Sequence, residues 1–141
     1  MPTVTKSVIV PHSARRMFEL VDGVEDYPDF LPWCSGARVI ERTPKVTRAR
    51  LDIDYHGLTS HFSTRNVKHP PLRMELHLED GPFERLEGEW RFTPLGEEGC
   101  RIELAVDYAL ASSTMARVLA PVFGHIMETL VDGFVARAEL A

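Results

Sequence analysis

The stretch Ser113–Leu140, STMARVLAPVFGHIMETLVDGFVARAEL, decides the fold. Met115, Val118, Leu119, Val122, Phe123, Ile126, Met127, Leu130, Val131, Phe134 and Ala138 recur at helical spacing and make one broad apolar stripe. Arg117, His125, Glu128, Asp132 and Glu139 fall on the other side. A helix of this length extends about 40 Å, enough to cross a small domain. Pro121 removes one backbone hydrogen bond inside it, so a kink or break is expected there. Such a stripe needs a large apolar surface to lie against.

The middle of the chain offers that surface. Ala49, Leu51, Ile53 and Tyr55 alternate with Arg50, Asp52 and Asp54; Leu86, Gly88, Trp90 and Phe92 alternate with Arg85, Glu87, Glu89 and Arg91. Cys100, Ile102, Leu104, Val106 and Tyr108 repeat the pattern. Alternation of this kind means antiparallel strands with one buried and one wet face. Turn signals at Thr43-Pro44-Lys45, His56-Gly57, Pro70-Pro71, Asp80-Gly81-Pro82 and Gly96-Glu97-Glu98-Gly99 separate the strands. With no helix between them they form a meander of about six, joined by an N-terminal strand over Val4–Val10. Ser13 is positioned to cap a helix carrying Ala14, Met17, Phe18 and Val21, with Gly23 as its stop. A shorter helix is expected over Val24–Phe30. The expectation is one α+β domain over residues 1–141, with two short helices after the first strand, about seven antiparallel strands and a long C-terminal helix.

Composition narrows the function. A net charge of −5 argues against DNA binding. Two cysteines outside any CxxC pair, and no signal sequence, point to a reducing cytoplasm with both thiols free. No uninterrupted apolar run reaches the roughly 18 residues of a membrane span. The six histidines form no HxH or HExxH spacing, so neither a metal nor a cofactor is expected. Neither a GxSxG elbow nor a glycine-rich phosphate loop is present, and no catalytic residue is assigned. Glu25, Asp26 and Asp29 are near one another, as the helix dipole alone favours in a first helical turn.

Three groups of residues are candidates for binding. The helix stripe, through Leu119, Val122, Phe123, Ile126 and Leu130, would face Phe62, Met74, Leu76, Trp90 and Phe92 of the sheet. The space between is either a closed core or an apolar cavity to which Ser60, Thr64 and Asn66 add polar contacts. Met74, Met115 and Met127 would make such a wall deformable. Tyr27, Phe30, Leu31 and Trp33, stiffened by Pro28 and Pro32, could form a lid or a plug, with Phe83 on the same rim. Arg38, Arg42, Lys45, Arg48 and Arg50 cluster around one turn, opposed locally only by Glu41. They would either touch anionic lipid or RNA phosphates, or serve as solvated edge-strand charges.

Val24-Glu25-Asp26-Tyr27-Pro28-Asp29-Phe30-Leu31-Pro32-Trp33-Cys34, Phe62-Ser63-Thr64-Arg65-Asn66, and Asp80-Gly81-Pro82-Phe83 with Leu86, Gly88 and Trp90 resemble one family. It is the coenzyme Q-binding, START-like family of the polyketide cyclase/dehydrase superfamily, which includes the ribosome association toxin RatA. The resemblance runs over the whole chain. It implies a helix-grip (START/Bet v 1-like) fold, a curved antiparallel sheet around the long helix. It also implies a non-enzymatic binder of ubiquinone or a related polyprenyl lipid supporting respiration, cytoplasmic and peripheral at the inner membrane. The same family offers two other roles: binding the large ribosomal subunit to block subunit association, and polyketide cyclase or aromatase activity.

Overall fold

The computed structural model describes residues 3–140, leaving aside the side chains of residues 115 and 116; the Met115 of the helix stripe therefore lies outside the described side chains. Strand β1 (Thr3–Val10) leads into α1 (Ala14–Asp22), a 3-10 turn (Val24–Asp26) and α2 (Tyr27–Phe30). Strands β2 (Cys34–Arg42), β3 (Val46–Tyr55), β4 (Leu58–His69), β5 (Arg73–Asp80), β6 (Phe83–Pro94) and β7 (Cys100–Leu110) follow, then α3 (Ser113–Glu139). The strands form one sheet in the order β1-β7-β6-β5-β4-β3-β2, every pair antiparallel.

Local chemistry sets the helix ends as expected. The Ser13 hydroxyl accepts from Arg16 N at 3.1 Å, and the Gly23 N–H closes α1 on Glu19 O at 3.0 Å. The α1 face made of Ala14, Met17, Phe18 and Val21 is buried. Phe18 meets Phe92 of β6 edge to face, and Arg16 Nη2 donates to Ala138 O near the end of α3.

Register places one side of the strands on the face that holds α3, while β2 packs under the 3-10 turn and α2. The row Thr47, Asn66, Leu76, Gly88, Val106, Val4 runs across six strands on the inner face. Its outer neighbour is the polar row Arg48, Arg65, His77, Glu87, Asp107, Thr3. A single sheet covers a helix only if it bends, and the register shifts in β2, at Ser63/Thr64 and at Phe83/Arg85 supply local twist. Gly88 serves the same end: a Cβ there would stand 2.8 Å from Ala105 O, so only glycine lets β6 and β7 approach so closely.

Helix α3 runs unbroken through Pro121, so the chain does not take the break that was one of the two outcomes expected there. Pro121 is on the exposed side of the helix, and so is Arg117, whose carbonyl loses its partner. Water can satisfy that carbonyl, so the helix continues. Leu119, Val122, Phe123, Ile126, Met127, Val131, Phe134 and Ala138 are buried, and Leu130 is half-buried. Val118, assigned to the stripe by spacing, is instead 47% exposed. By length and composition alone, residues Arg117–Glu139 would suffice to cross a membrane; in the fold their apolar side is an inner wall.

One polar cluster is enclosed. Lys68, 7% exposed, donates from Nζ to Asp22 Oδ2 at 3.1 Å, and the fully buried Thr47 donates to Asp22 Oδ1 at 2.8 Å. The Asp22 carboxylate thus pins the end of α1 to β3 and β4. Asp22→Ala leaves the Lys68 ammonium without its counter-charge and is expected to cost about 3–5 kcal/mol in urea denaturation. The pair Asp22→Leu with Lys68→Met should recover most of it; a loss below about 1 kcal/mol for Asp22→Ala would mean the pair behaves as a surface contact.

Candidate functional site

Two aromatic groups prop α3 against the sheet. On one side Tyr27 and Trp90 stand against Phe134 at ring separations of 5.2 and 5.5 Å, with Phe92 stacked on Trp90. On the other, Phe123 meets Phe83 at 4.6 Å and Phe62 at 6.0 Å, with Tyr108 beside them. Smaller side chains also face this space, Ala49, Leu51, Leu76, Leu104 and Val106 among them, and there a cavity of about 70 Å³ remains. Its wall is completed by Val24, Tyr27, Trp33, Phe62, Thr64, Asn66, Leu86, Trp90, Ile126, Met127 and Leu130.

The polar groups in that wall are few. Thr64 Oγ1 donates to Asn66 Oδ1 at 2.9 Å, so the two satisfy each other in part. Among the described residues no group accepts from the Asn66 amide nitrogen, although Asn66 is only 5% exposed. That nitrogen is not one of the enclosed unpartnered polar atoms, so its two N–H bonds are open to a guest of water size or larger. The Tyr27 hydroxyl is engaged, donating to Val21 O, and burial pushes its pKa well above the ordinary phenol value.

The residues expected at the site separate by depth along their elements. Tyr27, Trp33, Phe62, Thr64, Asn66, Trp90, Ile126 and Leu130 come together around the cavity. Met74, Phe92, Leu119, Val122, Phe83 and Phe123 lie in the core outside that wall, Phe83 and Phe123 packed on Phe62. Ser60 is half-buried near the β3–β4 turn, and Phe30 is half-buried beneath the Arg137 guanidinium, 5.2 Å from its ring centre. Leu31 lies outside the cavity, on α3 at Gly133. Leu76 and Met127, expected in the wall, also line the cavity, and Val24, Ala49, Leu51, Leu86, Leu104 and Val106 line it without having been named as candidates. The alternation already placed most of these strand residues on the inner face, which was the available signal.

The basic turn differs from its sequence reading. Opposition by Glu41 alone is corrected: Arg42 forms a two-pronged pair with Glu25 at 2.7 and 2.9 Å, Arg48 one with Glu79 at 3.0 Å, and Arg50 reaches Asp52 at 2.9 Å. The Arg42 hydrogen bonds hold the Glu25 carboxyl below its usual range. Arg38, Lys45 and the neighbouring Arg65 are exposed and have no acidic partner among the described residues. Also among the described residues, no group of three or more histidine, cysteine or acidic side chains is placed to hold a metal.

A curved antiparallel sheet gripping a long C-terminal helix over an apolar hollow defines the helix-grip, START/Bet v 1-like class. Comparison with known proteins agrees. The chain superposes on the Zhui aromatase/cyclase of Streptomyces sp. R1128 with a TM-score of 0.84 at 21% identity, covering 98% of this chain and 93% of that one. It belongs to the polyketide cyclase/dehydrase and lipid transport family, whose model matches residues 10–135. Ribosome association toxin RatA of Pseudomonas aeruginosa is 40% identical over 136 residues, 96% of this chain and 94% of the relative. The mitochondrial coenzyme Q-binding protein of Schizosaccharomyces pombe is 27% identical over 139 residues, 95% and 85% of the two chains.

The thiols belong to the packing. Cys34 and Cys100 are free and buried; burial raises the Cys34 pKa to about 11 and pushes the Cys100 thiol up as well. Both therefore stay protonated and unreactive at pH 8. Ellman's reagent should leave the native protein unlabelled and titrate both thiols in denaturant; fast labelling of Cys34 in the native state would contradict this.

Proposed function

We propose that the protein binds a hydrophobic molecule of the isoprenoid quinone class between the sheet and α3, as a carrier rather than a catalyst. One observation carries the reading: an apolar wall interrupted by a Thr64–Asn66 pair whose amide N–H groups meet no acceptor among the described residues. A quinone carbonyl is a fitting acceptor, and an isoprenoid tail suits the Leu, Val and Met side chains around it. The name of the coenzyme Q-binding relative supports the same class. A volume of about 70 Å³ is far below the 300–1,000 Å³ of ordinary ligand pockets, so binding must displace part of the surrounding wall. Quinones live in bilayers, and on this reading a cytoplasmic carrier visits the inner membrane to load.

The test is extraction of the protein from its own cells into organic solvent, followed by mass spectrometry. A stoichiometric quinone is expected. Asn66→Leu should bind a short-chain quinone about tenfold more weakly, the equivalent of one hydrogen bond of about 1.4 kcal/mol. Absence of any polyprenyl lipid, with no binding on titration, would refute the reading.

A second reading is ribosome association, favoured by the similarity to the relative of that name and by the exposed Arg38, Lys45 and Arg65, which have no acidic partner among the described residues. It predicts cosedimentation with the large subunit that weakens steeply with salt. Because Arg42 and Arg48 are tied to carboxylates, Arg38→Glu with Lys45→Glu is the variant expected to abolish it. No cosedimentation at low salt would remove this reading. Aromatase or cyclase activity has only fold likeness behind it.

A further inference from the structure

A second hollow opens beside the cavity. It is a cleft of about 350 Å³ between the end of α2, the β3–β4 turn and the middle of α3, lined by Leu31, Tyr55, His56, His125 and Thr129 together with Trp33. Trp33 is the one residue, among those described, that lines both spaces. It is 4% exposed, and no group among the described residues accepts from its indole N–H. That nitrogen is not one of the enclosed unpartnered polar atoms of the described residues, so it is within reach of a water-sized guest, and an acceptor supplied from outside the chain can meet it.

The surroundings hold the backbone of this segment still while leaving the ring separable. Trp33 O accepts from Asp54 N at 2.9 Å, and Leu31 O accepts from Cys34 N at 2.9 Å, which ties residues 31–34 to β3 and to themselves. Leu31 rests on α3 at Gly133, where a Cβ would stand 2.6 Å from its Cδ2. The opposite lip is fixed by Tyr55, whose ring lies 4.4 Å from that of His56 and 5.1 Å from that of His125. An indole between two hollows, on a fixed backbone, can move by side-chain rotation alone. Such rotation is fast compared with domain motion.

We infer that the cleft is the mouth of the cavity and the Trp33 indole its movable partition. Cleft and cavity then take one amphipathic molecule, its apolar part among Leu51, Leu76 and Leu104 and a hydrogen-bond acceptor at the Trp33 N–H. This rests on the cavity being a binding site, as proposed above, and adds the route and the orientation. With the partition turned aside, the joined volume comes within the range of ordinary ligand pockets, which the cavity alone does not.

Stopped-flow quenching of tryptophan fluorescence by a ubiquinone carrying one isoprene unit tests it, because the protein's two tryptophans, Trp33 and Trp90, both line the cavity. Thr129→Phe fills the cleft without touching the cavity wall. It should slow association by at least about tenfold, and by more than it slows dissociation, because it both obstructs the entrance and takes volume from the joined site. Trp33→Phe keeps Trp90 as reporter, removes the donor and thins the partition; it should speed exchange and weaken binding. His125→Phe narrows the same cleft from an exposed position and serves if Thr129→Phe does not fold. Binding by the wild type with unchanged exchange in both cleft variants would overturn the mouth while leaving the cavity reading intact. No quenching of the wild type would overturn the cavity reading, and this inference with it.

Discussion

Everything in this fold answers to one requirement: the apolar side of α3 must be covered along most of its length by a single sheet. A flat sheet would meet a helix along one line. Bulges at Cys34/Gly36, Val39/Glu41 and Phe83/Arg85, with the glycine at position 88, bend the sheet until its inner rows face the helix from several directions. Bulky rings then hold the two layers apart. Where Ala49, Val106 and the leucines face the helix, the layers do not fill the gap, and the hollow arises from that size mismatch.

The same requirement explains how charge is distributed. At the end of α1 the buried polar groups Asp22, Lys68 and Thr47 close on one another. On the outer face arginines and carboxylates meet across strands. Arg73 contacts Glu75 and Glu89, Arg85 contacts Asp107, and the Glu75 carboxyl is lowered chiefly by its hydrogen bond from His69. Pairing leaves Arg38, Lys45 and Arg65 as the accessible positive charges of β2–β4, a smaller surface than the basic turn implied.

Periodicity made the architecture readable. The α3 stripe, the alternation in β3, β6 and β7, the Ser13 cap and the Gly23 stop are short-range signals, and each appears where it was expected. Depth along an element is a different quantity, set by how far the partner element extends. Alternation put Phe92 and Trp90 on one face but could not say that Trp90 borders the hollow while Phe92 packs against Phe18. Val118 shows the limit on the helix, where its spacing is apolar but the sheet does not reach it. Ion pairs such as Arg42–Glu25 and Arg48–Glu79 join residues far apart in sequence, so no local pattern could announce them.

The function proposed here depends on a guest entering the space between the sheet and α3 where the two layers leave a hollow. Nuclear Overhauser effects between a short-chain quinone and the methyl groups of the protein test that directly. The account predicts contacts to Leu51, Leu76, Leu104, Ile126 and Leu130. Contacts confined to outer-face methyls such as Val67 or Ala105, or none at saturating quinone, would contradict it.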